Sequence, residues 1–222
     1  MKRLWTFGDS FTAPFFPLAW GKDYIDWKGY IPKVHGEIIA EKLGYELINL
    51  GKGGIDNYRI LETICENLVG IKTGDIVIIG WTSPIRFRLV SEGKNEFWYS
   101  ILPELPRFKE EKMNYENVFD NLISENTLNE ILYNRKSEKY INEVINWGKL
   151  IDRALIDNIV IHWSPFSKFG SINSITNCNK IYQETNNELL DQHFSEIGQM
   201  ELANELMKII ELKQKTPKNK LI

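Results

Sequence analysis

The sequence predicts an α/β protein in which helices cover both faces of a parallel sheet. Strand-like and helix-like segments alternate along most of the 222-residue chain, as they do where helices connect parallel strands. The segment DIVIIG at 75–80 holds four consecutive aliphatic residues, which is typical of a strand buried on both faces. Glycines and polar residues follow each predicted strand, and open α/β sheets bind their ligands there.

The first half of the chain alternates strands and helices up to that buried strand. An apolar run at 4–7, ended by a glycine, predicts the first strand. Residues 30–43 carry apolar side chains at helical spacing, and Gly44 follows them, as glycine commonly does at a helix end. The run YELINL at 45–50 predicts the second strand, and a helix is expected over about 58–68.

The second half resumes the alternation after a long interruption. Residues 84–137 hold the segment ILPELPRF and a long polar stretch, and we interpret them as an insertion with one or two helices. A helix is then predicted over 138–156, a strand over 158–163 and a last helix over 195–212. The predicted organisation is one domain over 1–213, in which residues 84–137 form an insertion over the site, followed by a polar tail over 214–222.

The composition is that of a soluble globular protein. Hydrophobic residues make up 43% and charged residues 26% of the chain. The net charge of −3 gives no basic excess for binding nucleic acid. No stretch is long and apolar enough to span a bilayer, and the first residues do not resemble a secretion signal, so we expect a cytoplasmic protein. Cys65 and Cys178 lack metal-ligand spacing and are expected to be reduced thiols.

Chemically useful residues follow the predicted strands at what should be one edge of the sheet. Ser10 follows the first strand within GDSFT. The loop GKGGIDN at 51–57 follows the second strand, and GWTS at 80–83 follows the third. The segment LDQH at 190–193 stands just before the last helix. Because the carboxyl ends of parallel strands meet at the same edge, we expect these segments to converge.

The residue types at this edge suit nucleophilic catalysis. A serine hydroxyl needs an adjacent base, and the base needs a third group to orient it. Among the three histidines of the chain, His193 is the best candidate base because Asp191 stands beside it. We interpret His162 as a structural strand residue and His35 as a helix-surface residue. Backbone N–H groups at a glycine-rich turn can stabilise the anion that forms on attack.

The motifs GDSFT, NLGKGGIDN, GWTS and DQH resemble, in this order, those of the SGNH/GDSL hydrolase family. The resemblance covers nearly the whole chain outside the insertion. It implies a flavodoxin-like three-layer α/β/α sandwich and a serine esterase that needs no metal or organic cofactor. It assigns Ser10 as the nucleophile, His193 as the base and Asp191 as the residue that orients it. The family's last motif is usually D-x-x-H, and the D-x-H spacing found here also occurs among its members.

The resemblance is incomplete at the oxyanion hole. The family's second motif lends a backbone N–H, and Gly54 is the candidate here because Asn49 and Gly51 fit the rest of that motif. Thr82 stands where the family has an asparagine whose side chain donates to the oxyanion. A threonine hydroxyl can donate, but it reaches less far than a carboxamide. Asn57 is a candidate to supply the missing amide.

The predicted substrate is an ester, preferably of a short acyl group on a carbohydrate. This preference follows from the resemblance and from Trp20, Trp27 and Trp98, which are predicted to lie in loops or in the insertion. Arg86 lies near the predicted site and is interpreted as a contact for an anionic substrate or as the partner of a surface carboxylate.

Two alternatives remain open. Thr82 in the asparagine position favours a non-catalytic relative that binds a glycan or a protein. The loop GKGGIDN favours a phosphate or nucleotide binder, although it lacks phosphate-loop spacing and leaves Asp191 and His193 without a role.

Overall fold

The computed structural model describes residues 1–15, 21–84, 86–90, 98–101, 138–166 and 172–216. The elements, in chain order, are β1 (Arg3–Gly8), α1 (Lys22–Lys28), α2 (His35–Leu43), β2 (Glu46–Asn49), α3 (Asn57–Asn67), a 3₁₀ turn (Leu68–Gly70), β3 (Ile76–Gly80), β4 (Phe87–Val90), β5 (Trp98–Ile101), α4 (Glu138–Ala154), β6 (Ile159–Ser164), β7 (Asn173–Ser174), α5 (Ile181–Glu184) and α6 (Glu196–Lys215).

Five strands form one parallel sheet in the order β2-β1-β3-β6-β7. The strands β4 and β5 pair antiparallel in a separate two-stranded sheet. Without that pair, the parallel strands run in the order 2-1-3-4-5 of flavodoxin-like folds. The sheet order reverses beside β1, so the carboxyl end of β1 lies at the position where such folds bind ligands. The predicted fold class is confirmed.

Helices cover both faces of the sheet because successive side chains of each strand point to opposite faces. One face packs against α3 and α4, and its buried cluster includes Trp5, Phe7, Val77, Ile79, Ile60, Ile64, Val144 and Ile151. The other face packs against α2 and α6, and its cluster includes Leu4, Ile76, Ile78, Ile161, Ile39, Leu202, Leu206 and Ile210. The result is three layers with the sheet in the middle.

All four predicted strands and all four predicted helices outside the insertion are present, with ends that differ by a few residues. The first predicted helix was placed too early. It begins at His35 because Val34 has an extended backbone, and the Glu37 carboxylate accepts the Val34 N–H at 2.9 Å. The last helix continues to Lys215, two residues into the predicted tail.

Several short elements were not predicted from the sequence. These are α1, α5, β7 and the β4–β5 pair. The pair lies inside the predicted insertion, where helices were expected. Those helices fall on residues outside the described part of the chain.

His35 corrects the sequence-based interpretation most clearly. It was expected on the surface of a helix, and this is wrong because its side chain is fully buried. Its backbone N–H and its Nδ1 both lie 2.9 Å from Oε1 of Gln199, on α6. The histidine therefore helps to join α2 to α6. Burial lowers the pKa of the imidazole from 6.5 to about 4.

This buried histidine should make stability depend on pH. In the unfolded chain His35 becomes protonated as the pH falls below 6.5, whereas in the folded protein it stays neutral until about pH 4. The free energy of unfolding therefore decreases as the pH falls through this window. We expect a loss of about 2–3 kcal/mol from this residue between roughly pH 7 and pH 4.5. Urea unfolding of the wild-type protein and of His35→Gln across that range measures it. The variant should lose less stability on acidification, and equal slopes would contradict the assignment.

Candidate active site

A tight turn presents Ser10 at the carboxyl end of β1. The turn begins at Gly8, where a Cβ atom would lie 2.3 Å from Thr12 Oγ1, so no side chain fits. The Asp9 carboxylate then accepts the Phe11 N–H at 3.0 Å, and the Asp9 carbonyl accepts the Thr12 N–H at 2.9 Å. Aspartate commonly stabilises turns by such bonds to its own backbone. The chain therefore turns sharply at Ser10.

The structure brings Ser10, His193 and Asp191 into one hydrogen-bonded chain. Ser10 Oγ lies 2.7 Å from His193 Nε2, and His193 Nδ1 lies 2.6 Å from Asp191 Oδ1. The same Oδ1 accepts the backbone N–H of His193 at 2.8 Å. This second bond is a local aspartate turn. It explains how an aspartate only two positions before the histidine reaches the ring.

The segment that carries Asp191 and His193 is pinned to the first residues of α5 and to Lys180, directly before it. Ile181 N–H donates to the His193 carbonyl at 2.9 Å, and Tyr182 N–H donates to the Asp191 carbonyl at 3.0 Å. Lys180 and Phe194 form an antiparallel bridge beside them. These bonds hold the backbone of His193 in place and so position its imidazole next to Ser10.

Tyr24, on α1, ties both flanks of this segment together. Its hydroxyl donates to the Glu184 carboxylate at 2.5 Å and accepts the Glu196 N–H at 2.9 Å. Lys28, one turn further along α1, pairs with the side-chain carboxylates of the same two residues, Glu184 and Glu196, at 2.9 and 2.6 Å. No sequence motif predicted this clamp, because its residues on α1 lie more than 150 positions from the two glutamates that they contact.

The sheet register brings the segments that carry Ser10 and Thr82 to the same edge of the sheet. Gly8 and Gly80 pair directly across β1 and β3, and Ser10 and Thr82 each follow two residues later. Thr82 is fully buried, and its hydroxyl has no hydrogen-bond partner within the described residues. The hydroxyls of Thr6 and Thr12 are likewise buried without a partner among the described residues, and each such group calls for an explanation.

Asn57 holds the backbone at Thr82. Its Oδ1 accepts the Thr82 N–H at 2.8 Å, and its amide donates to the carbonyls of Thr82 and Ser83 at 3.0 and 3.4 Å. The amide nitrogen of Asn57 thus has two carbonyl acceptors in the structure, and its role as an oxyanion donor stays a prediction. Its observed contacts position Thr82.

The loop that carries Gly54 is anchored to the turn of Ser10. Lys52 N–H donates to the Gly8 carbonyl at 3.0 Å, and the Asn49 amide donates to the Thr12 carbonyl at 3.0 Å. Gly54 has a φ of 76°, in the left-handed region that favours glycine. No acceptor for its N–H or for that of Ser10 is found in the described part of the chain, as oxyanion donors require.

Arg86 also contacts the turn of Ser10. Its Nη1 lies 3.6 Å from Asp9 Oδ2 and donates to the Ile55 carbonyl at 3.3 Å. One carboxylate that Arg86 contacts is therefore the buried Asp9, which shapes the Ser10 turn. The guanidinium joins the loops that follow the first three strands of the sheet.

The remaining histidine and the tryptophans singled out in the sequence lie elsewhere. His162 Nδ1 accepts the Trp81 indole N–H at 3.1 Å, and its Nε2 lies 3.2 Å from Asp152 Oδ1, in keeping with a structural role. Trp27 belongs to α1 and not to a loop, and its indole donates to Glu188 at 3.0 Å. Trp20 and the side chain of Trp98 lie outside the described residues.

An aromatic wall beside the triad was not predicted. Phe11, directly after Ser10, has its ring centre 4.9 Å from that of His193 and 5.0 Å from that of Phe194. Phe166 meets the Phe11 ring edge-on at 6.1 Å. The Lys180 ammonium lies 3.8 Å from the centre of the Phe194 ring. We call Phe11, Phe166, Phe194 and Lys180 the aromatic–lysine wall.

No protein-family model matches this chain, and no curated protein matches it in sequence. Among the helices that the structure describes, none is both long and apolar enough to cross a membrane. The chemistry of the site is therefore inferred from its residues and their geometry.

Proposed function

We propose that this protein is a serine esterase of the SGNH/GDSL type. The observation that carries the proposal is the continuous chain from Ser10 Oγ through His193 to Asp191, with contacts of 2.7 and 2.6 Å. Both distances lie within the range of strong hydrogen bonds. Enzymes that transfer acyl groups through a serine hold the nucleophile, its base and an orienting carboxylate in such a chain.

Each residue has a defined step in the proposed reaction. Ser10 Oγ attacks the ester carbonyl while His193 Nε2 takes its proton, and Asp191 stabilises the imidazolium that forms. The N–H groups of Ser10 and Gly54, together with the Thr82 hydroxyl, donate to the oxyanion. His193 returns the proton to the leaving alcohol. Water, activated by the same histidine, then releases the acid and regenerates Ser10.

The contacts favour catalysis over the two alternatives. A glycan- or protein-binding domain has no need of a serine aligned with a histidine–aspartate pair. A phosphate cradle needs free backbone N–H groups, whereas Gly51 N–H already donates to Asn49 Oδ1 at 2.9 Å and Lys52 N–H donates to Gly8. The short acyl group, the carbohydrate and the cytoplasmic location stay predictions from the sequence.

Covalent labelling tests the proposal directly. We expect a fluorophosphonate to modify Ser10 stoichiometrically in the wild-type protein, because His193 activates its hydroxyl. Mass spectrometry locates the adduct. Ser10→Ala should give none, and His193→Ala should slow labelling by about 10³-fold or more.

A neighbouring serine provides the matched control. Ser83 is buried after β3, and Ser83→Ala should label like the wild-type protein. Absence of an adduct on folded wild-type protein, with an unchanged circular dichroism spectrum, would count against the esterase proposal.

A further inference from the structure

The ammonium group of Lys180 is held at an aromatic surface beside the triad. Its Nζ lies 3.8 Å from the ring centre of Phe194 and 5.7 Å from that of Phe11. Both distances are those of cation–π contacts, in which the ring faces attract the charge. Phe11 directly follows Ser10, and Phe194 directly follows His193. The ammonium group thus contacts the residue after the nucleophile and the residue after the base.

The position of Lys180 relative to the imidazole is fixed by the backbone. Lys180 pairs with Phe194 in an antiparallel bridge, and its N–H donates to Gln183 Oε1 at 2.7 Å. The Phe11 ring centre is 5.7 Å from Nζ and 4.9 Å from the centre of the His193 ring, so Nζ is at most about 11 Å from that imidazole. A small ester bound at Ser10 can span this distance.

Within the described residues, no carboxylate pairs with Lys180. This is unlike Lys28, whose ammonium contacts two aromatic residues of α1 and also two carboxylates. Burial lowers the pKa of the Lys180 ammonium group to about 8, because the charged form loses part of its hydration. A partly dehydrated cation without an anionic partner attracts an anion more strongly than one in bulk water.

We propose that Lys180 is a specificity-determining residue that binds a negatively charged group of the ester substrate. The substrate class is then an ester that carries a carboxylate or similar anion on its acyl or alcohol part, with the uncharged portion against Phe11. This inference rests on the proposed esterase function. It adds to that function a charge on the substrate, which neither the motifs nor the triad require.

Two pairs of esters, matched except for charge, test the inference on the intact chain. One pair is p-nitrophenyl hexanoate and mono-p-nitrophenyl adipate, which places the carboxylate on the acyl part. The other is p-acetoxybenzamide and p-acetoxybenzoate, which places it on the alcohol part. The readout is the ratio of kcat/KM for the charged ester to that for the neutral ester. Lys180→Met keeps the length of the side chain and removes its charge.

We expect this ratio to fall by roughly 10- to 100-fold in Lys180→Met for at least one pair, because a hydrogen bond between charged groups is lost. Lys180→Arg should retain most of the preference. Lys208→Met is the matched control, since it removes the same charge from the exposed outer part of α6 and should leave the ratio unchanged.

The outcomes separate this inference from the proposed function. If Ser10 is labelled and both pairs give the same ratio in the wild-type protein and in Lys180→Met, the inference is wrong and the esterase proposal stands. An equal loss on charged and neutral esters means that Lys180 is structural, which also overturns the inference. If folded wild-type protein neither hydrolyses any of the four esters nor reacts at Ser10, both proposals fall.

Discussion

Replacing His193 by alanine is expected to reduce kcat/KM for a neutral aryl ester by roughly 10⁴- to 10⁶-fold. His193 Nε2 lies 2.7 Å from Ser10 Oγ, so the imidazole can remove the hydroxyl proton during attack. Without it, attack must proceed from a neutral hydroxyl, which is a weak nucleophile at neutral pH. Release of p-nitrophenolate from p-nitrophenyl acetate, followed at saturating and subsaturating substrate, measures both kinetic constants.

His162 provides a matched control for this experiment. Like His193, it contacts an aspartate, since its Nε2 lies 3.2 Å from Asp152 Oδ1, but its other nitrogen bonds Trp81 and not a serine. His162→Ala should therefore keep the wild-type rate once its folding is verified. The double variant Ser10→Ala/His193→Ala should be no slower than either single variant, because the two residues act as a unit. A rate for His193→Ala within tenfold of wild type would rule out its role as the base.

The central strands were predictable because burial on both faces requires a run of consecutive apolar residues in the sequence. In β3, Ile76 and Ile78 pack on one face of the sheet, and Val77 and Ile79 pack on the other. A strand buried on both faces has to be apolar at successive positions, and few other structures need this pattern. The short elements α1, α5 and β7 lack such a pattern, because two to seven residues do not show a periodicity.

His35 shows where periodicity fails. A helical pattern indicates which residues share a face, but it does not reveal that a polar residue has a buried partner from a distant segment. The partner of His35 is Gln199, which is 164 positions away. Only the packing of α2 against α6 brings them together.

The candidate site was partly predictable for a related reason. Ser10, Asp191 and His193 lie at strand and helix ends within recognisable motifs, and the parallel sheet brings such ends to one edge. The sequence alone does not show whether the Asn57 amide donates to an oxyanion or to a backbone carbonyl. In the structure its neighbours are the carbonyls of Thr82 and Ser83. The aromatic–lysine wall likewise assembles from side chains that have no common motif.

The second large effect is expected at Thr82. Thr82→Val replaces the hydroxyl by a methyl group of similar size, and it should lower kcat for a neutral ester by about 10²-fold if the hydroxyl donates to the oxyanion. The hydroxyl has no other partner in the described structure. We therefore expect the free energy of unfolding to stay the same or to rise by about 1 kcal/mol, because a buried polar group without a hydrogen bond is removed. Steady-state kinetics and urea unfolding measure the two effects.

Opposite changes in rate and stability would distinguish a catalytic hydroxyl from a structural one. Thr82→Ser keeps the donor and should keep most of the rate. Thr6 is the matched control, because it is also fully buried with a hydroxyl that has no partner, but it lies within β1 and not at its carboxyl end. Thr6→Val should therefore leave kcat unchanged. If Thr82→Val and Thr6→Val are equally active, the oxyanion is held by the N–H groups of Ser10 and Gly54 alone, and the threonine in the asparagine position contributes packing and not catalysis.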